Sequence, residues 1–108
     1  EERERQDLLE ELRQEIDALD HELIRILKER GRTVRKIGQL KKEHGMTVLQ
    51  IRRWTEIIED RLRTGEDEGI DRHYLMKLLQ LIHEEAIRLQ EEIMKKEGPG
   101  GPTSSASA

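Results

Sequence analysis

Three cations stand where a helix-forming stretch should carry apolar side chains. From Leu12 to Lys42 the chain reads LRQEIDALDHELIRILKERGRTVRKIGQLKK. Ile16, Leu19, Leu23, Ile26, Arg30, Val34, Ile37 and Lys41 follow at steps of three or four, which keeps them on one helical face. Three residues before Ile16 stands Arg13. Arg13, Arg30 and Lys41 therefore lie on or beside the face that should be buried. An unpaired buried charge costs too much to keep. These cations need an anion, supplied by carboxylates elsewhere in the chain or by a ligand.

The elements that must hold them are helices. The first runs to about Glu43, with Asp7 as a candidate N-cap, Glu10 three residues on, and Gly45 as a left-handed cap after His44. Gly31 and Gly38 interrupt it, each costing about 1 kcal/mol relative to Ala. Such a pair fits either close packing of a neighbour or nothing in particular. Thr47 to Gln50 forms a T-x-x-Q box that predicts a second helix over 48–64, with Ile51, Trp54, Ile57, Ile58 and Leu62 apolar and Gly65 ending it. Gln50, Arg53 and Ile57 share one side of this helix. Asp71 caps a third helix reaching about Lys96, striped by Leu75, Leu78, Leu79, Ile82, Ala86, Leu89, Gln90 and Ile93. Ala86 is small for that face, and a buried Gln90 must find partners for its amide.

Composition agrees with an all-α chain. Charged residues make up 41% and hydrophobic ones 33%, with one Trp, one Tyr and no Phe; this is thin for a β-rich core and normal for long amphipathic helices. The length of 108 residues suggests one domain, placed at 8–97. A charged lead or linker end precedes it at 1–7, and a Gly/Pro/Ser tail follows at 98–108. The first residue is Glu1 rather than Met, which suggests a piece of a longer polypeptide or a trimmed chain. No signal peptide is visible. No apolar run approaches ~18 residues, so no membrane span is expected. Without cysteine there is no disulfide, thiolate nucleophile or Cys-based zinc site, and the composition fits a reducing cytoplasm. His21, His44, His73 and His83 show no metal-ligand spacing.

The net charge of −4 conceals a division. Residues 1–22 hold ten acidic residues and three arginines, a balance of −7, whereas 28–42 hold seven Lys/Arg and one Glu, a balance of +6. A solvated, ion-paired helix surface accounts for such a run; a local anion site is the sharper reading. Nucleic acid is a poor fit, because the chain is acidic overall, has few aromatics to stack bases and carries no recognised binding motif.

Length adds a further expectation. About 37 residues at 1.5 Å each give a first helix of roughly 55 Å, against a radius of gyration of about 13 Å for a compact domain of this size. Helices two and three are too short to cover both halves of it. A second copy with the long helices packed together is the simplest cover. Arg13, far along the helix from Arg30 and Lys41, would then complete the partner's site.

This pattern resembles the all-helical class of chorismate mutases, intertwined dimers of three-helix chains, over about residues 8–95. The resemblance rests on LRQEIDALDHELIRILKER (12–30), the spaced Lys41, Arg53 within VLQIRRW, and HYLMKLLQLIHEEAIRLQ (73–90). MTVLQIRRW is most similar to mutase domains fused to the first enzyme of the shikimate pathway. The resemblance implies a homodimer with shared sites, chorismate as substrate and prephenate as product. It implies that Arg13 from the partner chain grips one substrate carboxylate and Arg30 the other. Lys41 and Gln90 match the pair that donates hydrogen bonds to the ether oxygen of the breaking bond, and Arg53 matches an arginine lining the site. Three positions depart from the family's usual residues. Trp54 stands where an acid often contacts the ring hydroxyl, Gln50 where Asp is common, and Ala86 where Ser is frequent.

The implied rearrangement is pericyclic and needs no nucleophile, metal or cofactor. Glu84 and Glu85 read as a solvated helix face. Three rivals remain: isochorismate–pyruvate lysis on the same scaffold, a regulatory or dimerising module of a larger enzyme, and a plain helical bundle. The cations on the stripe argue against the last.

Overall fold

A computed structural model describes residues 1–96. They form three α-helices in the order α1 (Glu2–Glu43), α2 (Ile51–Asp67) and α3 (Arg72–Lys95). Among the described residues there is no strand, so the all-α expectation holds. The expected tail at 98–108 lies outside these residues. No described helix is long and apolar enough to cross a membrane.

The chain divides into two compact units, Glu1–Thr33 and a second that begins at Val34. In the first, helix is the only structure after Glu1. It starts at Glu2, five residues before the expected cap Asp7. The reason is local: Glu, Arg and Gln are good helix formers, and Arg5 and Gln6 both reach Glu2, at 3.1 and 3.0 Å. Acidic residues in the first turn also suit the positive end of the helix dipole.

In the second unit the end of α1 meets α3, and α2 packs on α3. Its buried side chains are Val34 of α1, Leu62 of α2, and Leu89 and Gln90 of α3. Gly45 has φ +64. Met46 N–H reaches the Lys41 carbonyl at 2.8 Å and Gly45 N–H the Lys42 carbonyl at 3.4 Å. This is the paired stop of a Schellman motif, and it bears out Gly45 as the cap.

Two expectations about α2 require correction. The T-x-x-Q box does not form: Gln50 is the N-cap but makes no side-chain capping bond, and its Nε2 donates to the Thr47 carbonyl at 3.3 Å. The helix consequently begins at Ile51. Gly65 does not end it either. Gly65 is buried inside α2, where an added Cβ would overlap Leu75 Cδ2. The stop comes at Gly69, with φ +78; Ile70 N–H bonds the Gly65 carbonyl at 2.9 Å and Gly69 N–H the Glu66 carbonyl at 3.1 Å. Both glycines thus serve the α2–α3 turn, one by close approach and one by its left-handed backbone. Asp71 caps α3 as expected, accepting from Tyr74 N–H at 2.9 Å.

Candidate functional site

Lys41 and Gln90 meet. Lys41 Nζ donates to Gln90 Oε1 at 2.8 Å and to the Val48 carbonyl at 2.7 Å. Forty-nine residues separate the pair in sequence; the end of α1 and the last third of α3 bring it together. Gln90 is 8% exposed, and its Nε2 donates to the Ala86 carbonyl at 3.2 Å. The expectation that a buried Gln90 must satisfy its amide is met on both ends. Oε1 takes the ammonium, Nε2 takes a carbonyl of its own helix, and the second Nε2 hydrogen is available to a ligand.

Several constraints fix Lys41. Its carbonyl anchors the Schellman stop, while its ammonium ties down the Val48 carbonyl in the loop after that stop. Partial burial holds its pKa below the usual lysine value, because desolvation penalises the charged form. Lys41 has three ammonium hydrogens, and two serve Gln90 and Val48. The third can meet a negatively charged or electron-rich oxygen.

Gly38 shapes the neighbouring surface. It is buried one turn before Lys41, and an added Cβ would stand 3.2 Å from both the α-carbon and Cγ of Gln90. Close approach of α1 to α3, one of the two open readings of this glycine, is what the geometry shows.

On α2, Trp54 stacks on His83 of α3, with ring centroids 3.9 Å apart and planes at 20°. His83, Ala86 and Gln90 fall at i, i+3 and i+7, so the stack belongs to the same side of α3 as the Lys41–Gln90 pair. Ala86 and Trp54 are half-buried, whereas Gln50 and Arg53 are exposed. Arg13 and Arg30 belong to the first unit and are exposed there. Of the three stripe cations, Lys41 is the one that a single chain partly encloses. The physical reason is that the first unit buries no part of its helical stripe.

Sequence reasoning missed two supports of this site. The Val48 carbonyl is a backbone acceptor in a loop and leaves no pattern in side-chain types. His83 was legible only as a member of the Ala86–Gln90 face, and its stacking partner could not be read from spacing.

The family model described as "Chorismate mutase type II" matches residues 12–91. The bifunctional chorismate mutase/prephenate dehydratase of Buchnera aphidicola is 31% identical over 84 residues, which are 78% of this chain and 22% of that protein. The chain thus spans about a fifth of the length of that relative. Two relatives are matched over most of their own length. The 4-amino-4-deoxychorismate mutase of Streptomyces venezuelae is 30% identical across 85% of this chain and 89% of its own. That of Streptomyces pristinaespiralis is 32% identical across 94% and 81%. With Lys41 and Gln90 joined across α1 and α3 inside the matched span, the chain belongs to the type II chorismate mutase family.

Proposed function

We propose that this chain converts chorismate to prephenate by positioning a dianion and stabilising charge as its ether bond breaks. The carrying observation is the Lys41–Gln90 hydrogen bond of 2.8 Å, partly enclosed and held on both sides by backbone carbonyls. As the C–O bond breaks, negative charge grows on the ether oxygen. The third Nζ hydrogen of Lys41 and the second Nε2 hydrogen of Gln90 are the donors for it. One preorganised donor of this kind is typically worth about 2.7–4 kcal/mol. Arg30 grips one carboxylate in a bidentate fork, and Arg13 of a partner chain grips the other. Arg53 adds positive charge at the rim, and Gln50, Trp54 and Ala86 line the ring side. Holding the reactive conformer contributes several kcal/mol more, less than the ~7–11 available when two molecules are joined.

The shared site requires a homodimer. Its support is the exposed stripe of the first unit, in which Leu12, Ile16, Leu19, Leu23 and Ile26 are each more than half exposed. A mutase domain at 8–97, a second enzyme fused to it and a cytoplasmic setting complete the proposal. Its test is direct: purified chain should consume the ultraviolet absorbance of chorismate and form prephenate. Binding without turnover would favour a regulatory module, and release of pyruvate from isochorismate would favour the lyase.

A second reading is favoured by one observation. The two relatives matched over most of their length are named for 4-amino-4-deoxychorismate, and Trp54 occupies the position where the family often places an acid. Parallel kcat/KM values on the two substrates decide between them; a preference of tenfold or more for the amino compound, about 1.4 kcal/mol, would move the assignment.

A further inference from the structure

We infer that Gly38 is a positioning residue for the Lys41–Gln90 pair, setting the approach of α1 to α3 that lets the two side chains meet. This rests on the reading of that pair as the reacting site. Gly38 and Lys41 are three residues apart on α1 and share a face, as Ala86 and Gln90 do four apart on α3. An added Cβ at Gly38 would stand 3.2 Å from the α-carbon of Gln90, 3.2 Å from its Cγ and 3.5 Å from its Cβ. Carbon atoms rest at about 3.5–4.0 Å, so two of these distances are too short. Crowding against Cγ can be relieved by rotating the side chain, but that moves the amide off Lys41. The α-carbon belongs to the backbone, so relieving the crowding there means separating the helices. Either movement acts on a bond of 2.8 Å, and hydrogen bonds of this kind lose strength beyond about 3.2 Å.

The position is unlike Gly65. There an added Cβ meets the end of Leu75, a side chain that can turn aside. At Gly38 the obstacle is the residue that carries the chemistry. A glycine in the middle of a helix is otherwise a liability, since Ala is the better helix former. A purely local view therefore expects Gly38→Ala to leave the protein more helical and equally active. The positioning role expects the opposite for activity.

Two measurements on the full chain test this separately from the proposed reaction. The first is reactivity. Brief acetylation read by peptide mapping, with Lys36 as internal reference, reports whether Lys41 is held by Gln90. Gly38→Ala should raise Lys41 labelling toward the level of Gln90→Ala, with helical circular dichroism retained. The second is turnover, in which kcat on chorismate should fall by about tenfold or more, given that misplacement by 1 Å can cost 10²-fold, while KM changes less. Unchanged labelling with unchanged kcat overturns the inference. Raised labelling with no turnover in either protein upholds it and refutes the mutase reading instead. Should Gly38→Ala fail to fold, the unmodified chain still decides: a nuclear Overhauser effect between the Gly38 and Gln90 α-protons is expected, and its absence overturns the close approach.

Discussion

The unit Glu1–Thr33 and the unit that begins at Val34 are written in the same amphipathic pattern, with opposite outcomes. In the second, Val34, Leu62 and Leu89 are at most 6% exposed and a polar Gln90 is buried among them. In the first, Leu19 is 63% exposed and Leu23 52%. A 3.6-residue period states that a face needs cover; it does not state where the cover comes from. The second unit finds it in α2 and α3, whereas the first has only helix and keeps its face open. Because tertiary packing supplies most helical stability in proteins, the two units should respond differently to the same kind of mutation.

The largest effect is expected in the covered unit. Leu89→Ala and Leu62→Ala should each cost about 2–5 kcal/mol, as buried Leu→Ala changes do, and should lower Tm at every protein concentration. Leu19→Asp or Leu23→Asp should leave that core intact and instead shift the sedimentation coefficient toward the monomer, with a Tm that no longer depends on concentration. If the Asp variants sediment as the unmodified chain does, the open face of the first unit is not an interface between copies.

Next in size is the loss of a charged donor. Lys41→Ala should reduce kcat by about 10²–10³-fold with the helical signal retained, and Arg30→Ala should remove most activity from the other unit. Normal turnover in both would refute the site. Mixing and refolding Arg13→Ala with Lys41→Ala, each inactive alone, should restore part of the activity, because one site of the heterodimer carries neither change. No recovery would argue against a shared site.

The division between units also explains what was legible in the sequence. The helices, the cap at Gly45 and the cap at Asp71 are written in local residue types, so they could be read directly. Lys41 and Gln90 stood out because each breaks an apolar stripe, and a polar residue on such a face has to be paired. The errors have both local and tertiary causes. Glu2–Gln6 was helix-forming sequence without a cap signal, so α1 begins earlier than Asp7 suggested. Gly65 carried the usual mark of a helix end but lies inside α2 in close approach to Leu75, a tertiary setting invisible in sequence. The Val48 carbonyl and the Trp54–His83 stack depend on how α2 is set against α3, which no spacing reveals. Arg13 and Arg30 stay exposed in a single chain, because periodicity marks a face that needs cover without counting the neighbours available.

A smaller effect follows from the electrostatics of Lys41. Desolvation lowers its pKa from the ordinary 10.5, so the folded chain releases this proton at a lower pH than the unfolded chain does. Between the folded and unfolded values the unfolded state binds more protons, and this group's contribution makes stability rise with pH. In the proposed reaction activity runs the other way, since there the ammonium is the donor. Turnover should be nearly flat from about pH 5 to 8, because Gln90 donates without titrating, and should fall on the alkaline side at a pH below 10.5. A steep acid-side rise would show that another titrating group controls the step.

The smallest expected effect tests whether α3 is held by its start or by its buried face. The Asp71 carboxylate accepts the Tyr74 N–H at 2.9 Å, and removing such a cap typically costs about 1 kcal/mol. Asp71 lies nineteen residues from Gln90 in sequence, and along the intervening helix Leu75, Ile82 and Leu89 are buried or half-buried. Fraying at the capped end should therefore stop before it reaches the amide. Asp71→Ala is expected to lower Tm by a few degrees and to leave kcat and Lys41 acetylation where they were. A loss of turnover comparable with that of Gly38→Ala would mean that Gln90 is positioned by the whole of α3, and that close approach at Gly38 is one contribution among several.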